Sequence, residues 1–447
     1  MLISTQIIRR GALVMALSCV TVFGALAARV TINGLYFTTG SGAKATQLTL
    51  AKPSNTETAY SGDIKLPDNP VMHEGKEYTI VGVAAAALSK NAKVTSVYLP
   101  DGCVTIPRGS FQNMTGLKSA RLPEDLVNVN GNLFQGCSSL EEITIPGGVK
   151  ELSASMFTGC TSLRKITIAE GETALVHSQT TTLTVTGEAD KISPIEEVVL
   201  MRNITGLEKP AEVLFRGSKS LKKLTVGGKC TSINNYYFEN CSALTDVTIG
   251  ESVTSIGSNA FAGTGLASVK LPDGVTVINS SSFQNCKSLA EVNLGKDVTS
   301  IGEMAFYGSP VSKINLPESV ASIGAYSFSG AKLSGELVIP AAVTKIGVEA
   351  FNGNSALTSV KFGAAVASIA EGAFRGCNGL QTLVVDAANE TYEVKDNALV
   401  TKNGATILLY PSANQAAEYA NATATRVANY AFQNAKTLTS IALPKVV

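Results

Sequence analysis

Residues 253–294 read VTSIGSNAFAGTGLASVKLPDGVTVINSSSFQNCKSLAEVNL and contain almost two copies of one pattern. Each copy has an apolar residue, a phenylalanine, a leucine and then a short apolar-x-apolar triplet, in that order. Phe261 and Phe283 mark the two copies, and their separation sets the length of the unit. A segment this short cannot enclose a hydrophobic core alone, so neighbouring copies must stack on one another. If the pattern continues along the chain, it predicts a solenoid.

The pattern continues on both sides of this stretch. Most of its phenylalanines follow one another at nearly equal steps, and two longer steps, after Phe157 and after Phe374, interrupt the series. Because almost every phenylalanine of the chain belongs to the series, we expect these side chains to form continuous interior columns. The twelve positions are Phe111, Phe134, Phe157, Phe215, Phe238, Phe261, Phe283, Phe306, Phe328, Phe351, Phe374 and Phe432.

The triplets predict short strands, because they alternate with period two and are rich in β-branched residues. Fourteen triplets occur between Val97–Leu99 and Ile441–Leu443. Prolines such as Pro272 often follow, and proline ends a strand because it has no amide donor. Two residues after the phenylalanine stands Gly or Asn, which tolerate a left-handed backbone. We therefore predict about 14 coils of 22–23 residues with a parallel β-sheet on one face and short helical turns and loops on the other.

Two stretches depart from the period, and both predict β-hairpin-like insertions. The first lies near residues 169–197 and contains the alternating run Thr180–Thr186. The second lies near residues 386–425 and includes a hairpin from Tyr392 to Tyr410. Residues 28–83 are predicted to form an N-terminal cap, and residues 84–447 the repeat array. The chain stops just after a strand, which suggests a truncated array whose bare edge is open to self-association.

Residues 1–27 have the features of a secretory signal peptide. Arg9 and Arg10 precede an apolar stretch too short to span a bilayer, and Ala25-Leu26-Ala27 fits a cleavage site after about Ala27. An alternative is a lipid-modified Cys19, which is disfavoured because Leu17 lies one place from the usual position of the motif. We therefore predict a secreted or cell-surface protein.

Composition argues against an enzyme and against nucleic-acid binding. The 447 residues include 36 Lys and Arg against 35 Asp and Glu, so a net charge of +1 provides no field for attracting nucleic acid. There is no Trp, and the two histidines, His73 and His177, have no nucleophile or ligand set near them in sequence. Nor does the chain contain a C-x-x-C pair or a common catalytic motif. We therefore expect no cofactor, no metal and no small-molecule substrate.

Five cysteines occupy one repeated position, which other coils fill with Ser, Thr, Ala or Met. Such a position is typical of small buried packing residues. A disulfide between Cys137 and Cys160 is the less favoured alternative, because side chains one coil apart point in parallel directions. Acidic turn residues such as Asp101, Glu124, Asp273 and Glu318 recur too, and we interpret them as turn formers rather than calcium ligands. The five cysteines are Cys137, Cys160, Cys241, Cys286 and Cys377.

The repeat just described resembles that of the BspA-type bacterial leucine-rich-repeat proteins. The pattern L-x-x-V-x-L-P followed by V-x-x-I-G-x-x-A-F-x-G-C-x-x-L carries the resemblance, which covers roughly residues 60–447. It implies a leucine-rich-repeat solenoid and an exported or surface-exposed protein, since some members are implicated in adhesion to host matrix proteins and to other cells. The partner is not implied, because the matching positions are the interior ones.

The outward face of the predicted sheet is the main candidate for a binding surface, with a solvated sheet face as the alternative. We predict that it mediates interaction with, or adhesion to, extracellular or cell-surface proteins. The alternatives are a self-assembling envelope component and, least favoured, an enzyme with a site at an insertion. The candidate residues are Tyr98, Arg121, Thr144, Thr167, Thr225, Thr248, Lys270, Asn293, Asn315 and Lys361.

Overall fold

The computed structural model describes residues 27–129, 131–177, 195–205 and 215–444, and it confirms the solenoid. Residues 1–26, which contain most of the predicted signal peptide and Cys19, lie outside the described residues. The predicted hairpin around Thr180–Thr186 lies outside them too. Within the described part, the helical segments are two short 3₁₀ helices, Gly42–Lys44 and Ala154–Phe157, and turns make up most of the side opposite the main sheet.

An N-terminal sheet of five strands precedes the regular coils. Three of its four strand pairs are antiparallel, and the fourth, Gln47–Leu50 with Lys76–Val83, is parallel. Phe37, Leu48, Leu50 and Ile80 are fully buried between this sheet and the first coils. In spatial order the strands are Arg29–Ile32, Leu35–Thr39, Gln47–Leu50, Lys76–Val83 and Val71–His73.

The triplets from Val97–Leu99 to Val247–Ile249 form, together with Gly62–Lys65, one parallel eight-stranded sheet, here called the front sheet. It begins inside the N-terminal region, because Gly62–Lys65 pairs with Val94–Tyr98. All its neighbouring strands are parallel. Its strands are Gly62–Lys65, Val94–Tyr98, Ser119–Arg121, Glu142–Ile145, Lys165–Ile168, Glu197–Arg202, Lys223–Lys229 and Asp246–Ile249.

In later coils the triplets form strands at the same position of the repeat, but these strands belong to smaller sheets of two or three strands. Only Lys313 bridges to Glu291 in the coil that contains Asn315, so the triplet Ile314–Leu316 is not a regular strand. We call the outward side of the front sheet and of these later strands the front face. The later strands are Ser268–Lys270 with Glu291–Asn293, then Ser334–Val338 with Ala356–Phe362 and Thr382–Val385, and finally Glu418–Ala420 with Ser440–Ala442.

A second parallel ladder of strands runs along the array. It is formed by the apolar residue that precedes the phenylalanine in each coil, such as Ile256 before Phe261. Its strands have only two or three residues, and the isoleucines from Ile233 to Ile346 are buried and lie in register with one another. One group contains Glu151–Leu152, Leu175–His177 and Ile204–Thr205. The other contains Ser232–Ile233, Ser255–Ile256, Val277–Ile278, Ser300–Ile301, Ser322–Ile323, Lys345–Ile346 and Ser368–Ile369.

The phenylalanines are filed inward, as the sequence predicts. From Phe215 to Phe374 successive ring centroids lie 5.2–5.7 Å apart with interplanar angles of 4–17°. Distances of this size are typical of offset-stacked rings. Phe111, Phe134 and Phe157 form a shorter stack of the same kind. The twelve residues that follow each phenylalanine by two all have positive φ, which confirms the role assigned to Gly and Asn there.

The second irregular stretch is a three-stranded antiparallel unit. Tyr392–Lys395 pairs with Ala398–Thr401, which pairs in turn with Thr406–Leu409. Arg426–Val427 then joins Thr406–Leu409 in parallel and leads into the last coil. The sequence correctly places the two outer strands but misses the central one, Ala398–Thr401. Residues 392–444 are here called the terminal unit.

Candidate functional site

The outward positions of the front sheet line up in one continuous column. In register, Tyr98 lies beside Arg121, Thr144 beside Thr167, and Thr225 beside Thr248. Their strand neighbours, such as Val97 and Ile143, are buried, which is the alternation that the sequence indicates. Val199 stands in the same column between Thr167 and Thr225, and it was missed because its coil is irregular in sequence.

The ten candidate residues do not form a single cluster. Lys270 lies beside Asn293 in a separate strand pair, and Lys361 lies between Val338 and Val384 in a third group. Six are exposed: Thr144, Thr248, Lys270, Asn293, Asn315 and Lys361. The others, Tyr98, Arg121, Thr167 and Thr225, are half-buried.

Tyr98 is the centre of a charged network at the N-terminal end of the front face. Lys65 Nζ and the Arg121 guanidinium lie 5.2 and 5.1 Å from its ring centroid, close enough for cation–π attraction. Its hydroxyl donates to Asp68 at 2.8 Å, and this hydrogen bond raises the pKa of Tyr98. Arg121 pairs with Asp101 at 2.9 Å and lowers the pKa of that carboxyl group. The turn residue Asp101 thus has a cation as its partner.

The first residues of the central front strands form an ion-pair ladder. Glu197 forms ion pairs with Lys165 at 3.3 Å and with Lys223 at 3.8 Å, which lie in the two neighbouring coils. One residue earlier, Glu196 pairs with Lys222 at 2.8 Å. Exposed pairs of this kind contribute little to stability. They nevertheless neutralise the charges of this part of the front face. The uncharged column of Thr167, Val199 and Thr225 lies directly beside them.

A groove of about 1110 Å³ opens on the N-terminal half of the front face. Three candidate residues line it: Tyr98, Arg121 and Thr144. The sequence interpretation missed the residues that follow the strands, because it placed them in ordinary turns. Gly147, where other coils have an acidic turn residue such as Asp101 or Glu124, was the available signal. The remaining charged lining residues are Glu124, Glu142, Lys150, Glu170, Glu172 and Lys229.

Arg202 supports the floor of this groove from below. Its side chain is 1% exposed, and it donates to the carbonyl oxygens of Gly147 at 2.6 Å and Pro146 at 2.8 Å. Burial lowers the pKa of Arg202. Glycine is required at position 147, because a Cβ there would collide with the backbone of Glu170. The floor is therefore closely packed backbone held by a buried guanidinium.

The repeated cysteines are buried packing residues, as predicted, and the seven cysteines of the described chain are free thiols. Each of the five donates from Sγ to the carbonyl of a phenylalanine in the preceding coil, as Cys241 does to Phe215 at 2.9 Å. Burial raises the pKa of the Cys137 and Cys377 thiols to about 12. Thiols with such pKa values are poor nucleophiles at neutral pH.

The other polar candidates are dispersed. His73 lies in the N-terminal sheet with Nε2 3.8 Å from Glu74, and His177 ends a strand of the second ladder. Asp273 pairs with Lys296 at 2.8 Å. Across the described ranges, no group of three or more His, Cys, Asp or Glu side chains is placed to hold a metal ion. In the same ranges, no helix has the length and apolarity that a membrane crossing requires.

Stacked coils with a parallel sheet on one side and turns on the other define a leucine-rich-repeat solenoid. The chain belongs to the BspA-type leucine-rich repeat family: six copies of the BspA type leucine rich repeat region match residues 83–196 and 209–334. No curated protein matches the chain.

Several solved structures are similar to the chain. A leucine-rich repeat protein from Bacteroides ovatus is 22% identical over 79% of this chain and 94% of its own, with a TM-score of 0.42. One from Eubacterium ventriosum is 26% identical over 39% of this chain, with a TM-score of 0.36, and the match spans 50% of that protein. A leucine rich cell surface protein from Faecalibacterium prausnitzii is 20% identical over 81% of this chain and 96% of its own, with a TM-score of 0.29.

Proposed function

We propose that this protein is exported and that it binds extracellular or cell-surface proteins through its front face. The observation that carries the proposal is the continuous outward column of the eight-stranded front sheet. Thr144 and Thr248 on this column are exposed, and their hydroxyl groups have no hydrogen-bond partner among the described residues. An extended surface of this kind suits a macromolecular partner, because contact area accumulates coil by coil.

A protein is a better partner than a nucleic acid for this surface. Protein–DNA interfaces are strongly basic, whereas lysines and glutamates here alternate and pair across coils. The state of the candidate nucleophiles supports a non-enzymatic role. The cysteines are buried with raised pKa values, and His73 lies on the N-terminal sheet, away from the groove lining.

Export is inferred from residues 1–27 and from membership of the BspA-type family. Expression of the full chain in a bacterium tests it directly. We expect the mature protein outside the cytoplasm with Ala28 at its N-terminus, measured by intact-mass spectrometry. A chain that keeps residues 1–27 and stays in the cytoplasm would contradict export, and a lipid mass on Cys19 would replace cleavage after Ala27.

Binding is tested by pull-down of matrix and cell-surface protein fractions with the mature chain. The test variants are Thr144→Arg and Thr248→Arg, which place a long cation on the front face. Thr276→Arg is the matched control, because Thr276 is exposed and lies outside the front strands. We expect both front-face variants to lose a captured partner that the control retains. Capture of the same partner by all three variants would contradict the assignment to the front face.

A further inference from the structure

We propose that the front-face groove binds an extended, basic segment of a partner protein; this inference rests on the function proposed above. The groove runs from the strand Val94–Tyr98 to Lys229 at the end of Lys223–Lys229. These strands are five coil spacings apart in the front sheet, or about 24 Å at the usual distance between strands. An extended segment of about seven residues covers that distance.

The charges left free in the groove are mainly carboxylates. Two of the lining cations already have partners, since Arg121 pairs with Asp101 and Lys229 pairs with Glu172. Glu124, Glu142 and Glu170 are exposed, and none of them forms a direct ion pair within the described chain. Arg121 and Lys229 attract Glu124 and Glu170 only at longer range. Their arrangement therefore favours a positively charged occupant.

Glu142 is left free by the ion-pair ladder itself. Lys165 is its neighbour in register, yet the Lys165 ammonium lies 3.3 Å from Glu197 on the opposite side. Glu142 therefore begins its strand without an ion-pair partner among the described residues, at the point where the alternating ladder ends. A lysine or arginine of a bound segment would continue the alternation of charge that the ladder establishes across the following coils.

The three carboxylates lie on both sides of the groove. Glu142 stands at the start of its strand, whereas Glu124 and Glu170 follow the ends of strands in the preceding and following coils. Glu124 and Glu170 are thus two coil spacings apart, or about 10 Å. Three residues of extended chain cover about the same distance, so basic side chains separated by one or two residues can reach successive carboxylates.

Two cations near the groove, Lys150 and Arg202, should repel a basic segment. Removing the exposed one should therefore strengthen binding, whereas removing a carboxylate should weaken it. Lys150 is exposed and lines the groove without an ion-pair partner in the described part of the chain. Arg202 lies beneath the floor, where the carbonyls of Pro146 and Gly147 accept its hydrogen bonds. We therefore expect Lys150 to weaken the binding of a basic segment. Val127 beside it is 40% exposed and offers an apolar contact.

The test is a titration of the mature protein with fluorescently labelled octapeptides, read by anisotropy. The probes alternate serine with lysine, glutamate or glutamine. We expect the lysine peptide to bind most tightly and its affinity to fall as salt increases, because the contacts are exposed ion pairs. Equal affinity for the glutamine peptide, or tighter binding of the glutamate peptide, would overturn the proposal.

Charge-neutral variants locate the site. Glu124→Gln, Glu142→Gln and Glu170→Gln should each weaken lysine-peptide binding about two- to fivefold, the range typical of exposed ion pairs. Lys150→Gln should strengthen it by a similar factor. Glu303→Gln is the matched control, because Glu303 is exposed and lies outside the groove lining. Circular dichroism of each variant confirms that the fold is intact. An equal loss with Glu303→Gln, or no gain with Lys150→Gln, would contradict binding in the groove.

The outcome separates this proposal from the broader one. If Thr144→Arg abolishes capture of a partner while no lysine peptide binds, the front face binds proteins but the proposal of a basic segment in the groove is wrong. If the lysine peptide binds in the groove while no matrix or surface protein is captured, the specificity stands and the extracellular partner class is wrong.

Discussion

The coils from Phe215 to Phe374 and the terminal unit show two ways of extending the same array. In the first, eight phenylalanine rings stack in one file, each at most 6% exposed. In the terminal unit, Phe432 is half-buried and packs on Tyr410 and Tyr419, each at 5.4 Å. Insertion of the antiparallel unit therefore ends the phenylalanine column and starts a new, smaller core.

The junction between these regions combines apolar packing with polar pairs, since Tyr392 and Leu399 of the terminal unit join the buried core of the coils. Glu371 pairs with Arg426 at 2.9 Å and accepts a hydrogen bond from Asn429 at 2.6 Å. The Arg375 guanidinium lies 4.5 Å from the ring centroid of Tyr430. Contacts of this kind bring less free energy than the burial of an aromatic ring. The separate core of the terminal unit is much smaller than that of the coils, so we expect the terminal unit to unfold before the coils.

The largest effect should come from removing a ring of the phenylalanine column. Phe306 is fully buried and stacks on rings at 5.5 and 5.3 Å. Phe306→Ala should lower the free energy of unfolding by about 3–5 kcal/mol, because it leaves a cavity that rigid neighbours cannot fill. Urea denaturation, followed by circular dichroism, measures this. Phe432→Ala is the comparison and should cost less, since that ring is half-buried; an equal cost would contradict the distinction between the two regions.

The next effect concerns one buried asparagine from each region. Asn354 is fully buried, donates to the carbonyls of Phe328 and Phe351, and accepts from Leu333 at 3.0 Å. Asn354→Ala leaves these groups unpaired and should cost about 1–3 kcal/mol. Asn421 in the terminal unit makes longer donor contacts of 3.3 and 3.4 Å. Asn421→Ala should therefore cost less in the same denaturation experiment, and the reverse order would be evidence against the prediction.

The sequence was sufficient to predict the interior of the array. The period places the phenylalanines, and Gly or Asn two residues later indicates the left-handed turn. A second position of the repeat, two residues before the phenylalanine, also has a left-handed backbone. The sequence does not predict it, because Met304, Tyr326 and Glu349 occupy this position with φ of 53°, 56° and 48°. These residues are rarely left-handed. Backbone hydrogen bonds between coils support the conformation: the amide of Met304 donates to Ala325, and that of Tyr326 to Val348.

The candidate site was predictable only in part. Alternation along the triplets correctly gives the outward residues Tyr98, Arg121 and Thr144. The groove depends on contacts between residues far apart in sequence, such as Arg202 donating to Gly147 across 55 positions. No local pattern indicates such a contact. The pairing of Lys165 with Glu197 rather than Glu142 is also decided by side-chain geometry between coils, so the free carboxylates could be found only from the structure.

A pH-dependent effect should distinguish the coils from the terminal unit, because no cysteine follows Cys377 in the sequence. Burial raises the pKa of Cys241 to about 12. The protonated Cys241 thiol therefore stabilises the folded state fully below pH 9, which is the pKa of the thiol in the unfolded chain. This contribution to the free energy of unfolding is lost as the pH rises towards 12. From pH 9 to 10 the free energy of unfolding should fall by about 1 kcal/mol more in the wild type than in Cys241→Ala. Urea titrations at both pH values measure this, and parallel losses would contradict it.

The smallest effect is expected at the junction itself. Glu371→Gln removes the charge that pairs with Arg426, and exposed pairs are worth at most about 1 kcal/mol. Because the separate core of the terminal unit is small, that loss should appear there rather than in the coils. Hydrogen exchange should be faster in Tyr392–Lys395 and Glu418–Ala420, with no change in Ser300–Ile301. Glu318→Gln, an exposed glutamate without an ion pair in the described chain, is the control. Faster exchange throughout the coils would mean that the two regions unfold as one unit.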